Sequence, residues 1–130
     1  MVFSSTLSDP SCRHIPKTLS ELEDFLATLF GGAPTFVDDY FDFQTIDTEF
    51  DVYHQSLELV RGKLGEDRYT RLVFLGMEAK ALFAADPEDT NGKTEQGFTC
   101  LKEIDDILHQ VRTQRIKANL KDEEGEVTGD

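Results

Sequence analysis

Two Asp-x-x-His pairs stand out in this 130-residue chain, Asp51-Val-Tyr-His54 and Asp106-Ile-Leu-His109. On a helix, a spacing of three places carboxylate and imidazole on one face, as the Glu-x-x-His ligands of di-iron bundle proteins are placed. A different chemistry is concentrated in residues 36–51, Phe-Val-Asp-Asp-Tyr-Phe-Asp-Phe-Gln-Thr-Ile-Asp-Thr-Glu-Phe-Asp, which hold six acids, five aromatic rings and no base. Rings supply contact area and anchoring, and acids supply a field and hydrogen-bond acceptors, so this mixture suits recognition of a cationic surface. The remaining reactive side chains are Cys12, two residues before His14, and Cys100.

Which of these groups can work together depends on the elements that carry them. Residues 1–16 contain Pro10, Pro16 and several Ser, and read as an extended arm. Thr18-Leu-Ser-Glu21 has capping-box spacing, with Thr18 accepting from the first turn and Glu21 reaching back. Leu19, Leu22, Phe25, Leu26 and Leu29 follow at helical spacing, and Gly31-Gly32 is the expected stop. From Ile46, the residues Phe50, Tyr53, Leu57, Val60 and Leu64 step by threes and fours, predicting one helix of about five turns. Gly65 then suits a helix end and Asp67 a cap for the next helix, roughly residues 67–85. That helix is apolar almost all round (Leu72, Val73, Phe74, Leu75, Met77, Leu82, Phe83), with Arg71 and Glu78 on one polar edge, which predicts a central position. Residues 86–92 form a turn by composition. Phe98, Leu101, Ile104, Leu108 and Val111 mark a last amphipathic helix to about Asn119, and residues 121–130 read as a frayed acidic tail. No strand-length alternation appears. The expectation is an all-α antiparallel bundle of about four helices in one domain, residues 17–120.

Placed on these helices, the histidine pairs lose their appeal as ligands. Asp47, Asp51, His54 and Glu58 form a polar stripe beside the apolar one, and Lys102, Asp105, Asp106, His109 and Arg112 do the same on the last helix. Bundle metal ligands must project inward, and the central helix offers only Glu78, so neither metal nor cofactor is expected. Cys12 lacks an orienting acid, and Cys100 falls near an apolar face as a small core residue. Gly31-Gly32 and Asn91-Gly92 suit helix-end turns, with no phosphate-binding pattern around them. Residues 38–51 lack the register of a calcium loop. Catalysis is not expected.

Binding is. With 13 basic and 26 acidic side chains the formal charge is −13, which repels nucleic acid and anionic membranes and attracts basic proteins. Within the acidic-aromatic segment, Phe36 and Phe41 are expected to pack inward. Asp38, Asp39, Tyr40, Asp42, Phe43, Asp47 and Asp51 are expected to meet the partner. The plainer reading, a linker whose rings complete the core, stays open. The chain opens on polar and Pro residues without a charged-then-apolar leader, and its longest apolar stretch, Leu72 to Ala85, is interrupted by Glu78 and Lys80. A soluble cytoplasmic protein is therefore expected, with reduced Cys12 and Cys100 favoured over the alternative of one disulfide between the arm and a helix.

The stretch from Ile46 to Val111 resembles small all-helical immunity proteins of bacterial toxin–immunity pairs, including those that guard against secreted NAD-hydrolysing effectors. The likeness is carried by Leu57-Glu-Leu-Val-Arg-Gly-Lys-Leu64, the apolar helix from Leu72, and Phe98-Thr-Cys-Leu-Lys-Glu-Ile-Asp-Asp106. It implies a helical protein that captures a toxin domain without chemistry of its own. From composition, an alternative function is that of an acidic nucleic-acid mimic or adaptor occupying a basic protein groove, and a less favoured one is a metal-binding bundle.

Overall fold

A computed structural model of the protein describes residues 14–37 and 44–119. Among them all regular structure is helical: α1 (Leu19–Gly32), α2 (Ile46–Leu59), the single turn α3 (Arg61–Leu64), α4 (Glu66–Ala84) and α5 (Lys93–Lys117). The four long helices form a ring in which α1 packs on α2 and α5, and α4 packs on α2 and α5. Neighbours run antiparallel, as cross-helix partners show: Asp47 meets Lys80 while Tyr53 bonds Leu72, and Glu23 meets Arg112 while Phe30 stacks on Phe98.

The local signals act largely as the sequence implies, with instructive departures. Thr18 Oγ1 accepts from Glu21 N at 3.0 Å, but the Glu21 carboxylate passes Thr18 and accepts from Lys17 N at 2.8 Å. Gly31 and Gly32 belong to the last turn of α1, which ends at the extended Ala33. Thr45 and Thr48 form a reciprocal capping box that starts α2. The five-turn helix from Ile46 is broken at Val60 (φ −104°, ψ 12°). Gly62 weakens helix there by ~1 kcal/mol, and Arg61 turns to grip Glu66 with two 2.8 Å hydrogen bonds while its guanidinium lies 4.0 Å above the Tyr69 ring. Gly65, at φ +82°, makes the corner into α4, so that helix starts at Glu66 and Asp67 sits in its first turn instead of capping it.

At the centre is a chain of rings. Phe83 of α4 lies 5.5–5.6 Å, centroid to centroid, from Phe98 and Phe36 and 6.3 Å from Phe50, and Phe98 stacks on Phe30. Two helical glycines let rings lie directly on backbone. A Cβ at Gly97 would fall 2.5 Å from Phe83 Cε1, and one at Gly76 3.0 Å from Tyr53 Cδ2. The buried Tyr53 hydroxyl donates to Leu72 O at 2.8 Å, which satisfies its one polar group. Phe36 has φ +63°, a conformation that costs a bulky residue about 1–3 kcal/mol. Burial of its ring, worth about 1.5–3 kcal/mol, and edge-on contacts with Phe50 and Phe83, about 0.5–1.5 kcal/mol each, offset that strain. The expectation that Phe36 packs inward is met: it is 1% exposed. Cys100 is likewise a buried free thiol, its pKa raised by burial and by the nearby Glu78 carboxylate.

Asp86 closes the turn between α4 and α5. It is 1% exposed, and its carboxylate accepts from Thr90 N (2.7 Å), Asn91 N (3.2 Å) and Thr94 N (3.0 Å). Gly92, the residue preceding α5, has no side chain to cap it, so Asp86 does so from six residues upstream. Burial opposes ionisation of Asp86, but the hydrogen bonds from Thr94, Thr90 and Asn91 outweigh it and hold the carboxyl below its ordinary value of 3.8.

Three measurements of stability follow from this packing. Phe83→Ala should cost ~3–5 kcal/mol in urea unfolding, whereas Phe74→Ala, the same change on an exposed face of the same helix, should cost under about 1 kcal/mol. Gly97→Ala should lower the urea midpoint despite the better helix propensity of alanine, because the methyl group displaces the Phe83 ring; a raised midpoint would contradict this packing. For Asp86 the folded pKa is the lower one, so its contribution is complete above about pH 3.8 and is lost as pH falls through the folded value. Asp86→Ala should therefore lower the midpoint at neutral pH and flatten the acid limb of the stability profile, and an unchanged acid limb would rule this role out.

Candidate protein-binding surface

The outer edge of α2 presents Asp47, Asp51, His54 and Glu58 at steps of four, three and four, a wall about 16 Å long at 1.5 Å per residue. Opposite stands α4. Leu72, Leu75, Ala79 and Phe83 face the core. On the far side of the same helix, Phe74 (54% exposed), Met77 (60% exposed), Ala81 and Ala84 face solvent. The expectation that α4 occupies the bundle centre is corrected here. It is a corner of a four-helix ring with α2 and α5 on two sides, so only one of its two apolar stripes is covered.

Between the α2 wall and α4 runs a trough. One part, about 720 Å³, is lined by Asp47, Asp51, His54, Met77, Lys80, Ala81 and Ala84; the other, about 380 Å³, by His54, Gln55, Glu58, Tyr69, Val73 and Met77. The two meet at His54 and Met77, so the apolar floor is continuous along the acidic wall.

Each acid of the wall has a side-chain partner. Lys80 Nζ reaches Asp47 at 2.8 Å, Gln55 Nε2 donates to Asp51 at 2.8 Å, and Glu58 accepts from the Tyr69 hydroxyl and lies 3.7 Å from Arg61 Nη1. Although residues 36–51 hold no base, Asp47 is bridged across the trough by Lys80 of α4. At an exposed site such a pair contributes about 0–1 kcal/mol, little enough for another cation to displace it. His54 is half-buried, with its ring edge-on to Tyr53 at 5.1 Å. Burial and the Lys80 charge lower its pKa below the ordinary 6.5, against the opposing pull of Asp51, so the imidazole is neutral at neutral pH.

Of the residues expected to meet a partner, Asp47 and Asp51 are brought together on this wall. Asp38, Asp39, Tyr40, Asp42 and Phe43 lie outside the described residues, as does Phe41. Glu49, the fifth of the six acids in that stretch, is fully buried and receives a 3.3 Å contact from Thr48 Oγ1, so its carboxylate is not presented at the surface. The Asp-x-x-His pairs are not brought together: His54 lines the trough, whereas His109 is exposed on α5 beside Glu23. Among the described residues no group of three or more His, Cys, Asp or Glu side chains is placed to hold a metal ion, and no helix is long and apolar enough to cross a membrane. Sequence reasoning missed the α4 side of the trough. The available signal was the spacing of Phe74, Met77, Ala81 and Ala84, a second apolar stripe nearly opposite the first at about 100° per residue.

No protein-family model matches the chain, and neither curated proteins nor solved structures give a match.

The lowered pKa of His54 has a measurable consequence. The unfolded chain takes up this proton first, so the stability associated with neutral His54 is present above pH 6.5 and is lost as pH falls toward the folded value. His54→Gln should therefore shrink the difference in urea midpoint between about pH 8 and about pH 5. An undiminished difference would show that His54 is as solvated in the folded chain as in the unfolded one.

Proposed function

We propose that this protein is a binding protein without catalytic activity, which neutralises a basic protein partner by seating part of it in the α2–α4 trough. The observation that carries the reading is the exposed apolar floor of Met77, Ala81 and Ala84 running beside the acids of α2. An apolar centre edged by charge is the anatomy of a recognition patch, with the floor setting the dissociation rate and the acids the association rate. The high negative charge adds long-range attraction for a cationic partner and disfavours pairing of two acidic copies. The resemblance of residues 46–111 to immunity proteins supports a toxin domain as that partner, since those residues include both sides of the trough.

Co-expression with the product of a neighbouring toxin-domain gene tests the proposal, with growth and both rate constants as readouts. Met77→Glu and Ala81→Glu place charge on the floor at exposed positions and should abolish protection, weakening binding by ~2 kcal/mol or more. Asp38→Asn, Asp39→Asn, Asp42→Asn and Asp51→Asn together should slow association and flatten its salt dependence. The α5 control, Asp105→Asn with Asp106→Asn, should behave as wild type. Full protection by both floor variants would place the interface elsewhere.

A further inference from the structure

We infer that the segment received by the trough is an amphipathic helix bearing basic residues, and that Lys80 is a built-in competitor for that helix's own cation. The inference rests on the reading of the trough as the partner surface and specifies what enters it. Both walls are helices whose backbone groups are engaged within α2 and α4, so the trough offers side chains and no free backbone edge. An extended chain would leave its own N–H and C=O groups facing apolar side chains, at a desolvation cost it could not recover. A helix arrives with its backbone bonds made, and its residues at three- and four-residue steps match the spacing of Asp47, Asp51 and Glu58 on one wall and of Met77, Ala81 and Ala84 on the floor. Apolar residues would cover the floor, and Lys or Arg on the flanking face would meet the acids.

Lys80 decides the affinity of one of those contacts. Its ammonium spans the trough to Asp47 at 2.8 Å and, among the described residues, is the only Lys or Arg lining it. Nearby His54 adds no positive charge at neutral pH. An arriving cation must displace Lys80 from Asp47 and accept its repulsion. Removing Lys80 therefore frees an acid and removes a competing charge, so the lysine holds the trough closed to weakly basic helices.

The probe is a synthetic 16-residue helix of Leu and Lys, amphipathic at 3.6-residue period, compared with a peptide of the same composition broken by a central Pro. The chain has two methionines, Met1 and Met77, so methyl-labelled Met77 reports directly on the trough. The helical peptide should shift the Met77 resonance and bind Lys80→Gln about 2–5-fold more tightly than wild type, the reverse of losing an exposed ion pair. It should bind Asp47→Asn more weakly. Lys102→Gln, which removes the same charge beside Asp106 on α5, should change affinity far less. Equal effects of Lys80→Gln and Lys102→Gln, equal binding of the Pro-broken peptide, or an unmoved Met77 signal at saturation would each overturn the inference. If the growth-inhibiting partner moves Met77 but the helical peptide does not, the trough remains the partner surface and only the helical occupant is wrong.

Discussion

The Phe83 ring, lying on the bare backbone of Gly97, sets the geometry of this molecule. It can be buried only because α5 presents no side chain at that point, which lets α4 and α5 approach closely along their shared length. From that contact the ring touches Phe98, Phe36 and Phe50, and Phe98 stacks on Phe30 of α1, so aromatic surface joins all four long helices. Phe36 accepts a strained backbone to complete the group, and Tyr53 repeats the device by lying on Gly76 with its hydroxyl bonded to Leu72 O. Removing any of these rings leaves a cavity that the neighbouring backbones are poorly placed to fill.

The same constraint exposes the surface assigned to binding. With Leu72, Leu75, Ala79 and Phe83 committed inward, α4 turns Phe74, Met77, Ala81 and Ala84 outward, and no helix among the described residues covers them. α2 supplies the opposite wall because its buried stripe, Phe50, Tyr53 and Leu57, fixes its rotation and so places Asp47, Asp51 and Glu58 at the rim. The core and the proposed binding surface therefore draw on opposite faces of α4 and on adjoining faces of α2.

Much of the fold was legible because helical period is a local property. Leu19, Leu22, Leu26 and Leu29, then Phe50, Tyr53, Leu57, Val60 and Leu64, then Leu101, Ile104, Leu108 and Val111 were marked by spacing, and all are buried. The break at Val60 was hidden because the apolar steps run through it unchanged, while its cause, the grip of Arg61 on Glu66 and Tyr69, lies in side-chain geometry. The role of Asp86 was hidden because it caps a helix that begins seven residues later. Half of the trough was readable: the acids of α2 were placed on one face, but which stripe of α4 faces the core depends on how many helices surround it. Periodicity within α4 does not carry that information.

If the α4 floor is the surface that a partner covers, the Met77 methyl group will report it. In the free protein a soluble paramagnetic chelate should strongly broaden the Met77 resonance, in keeping with its 60% exposure. When the proposed toxin partner is bound at saturation, that broadening should disappear while resonances from the exposed face of α5 remain attenuated. A Met77 methyl that stays as accessible to the chelate in the complex as in the free protein would place the partner on another surface.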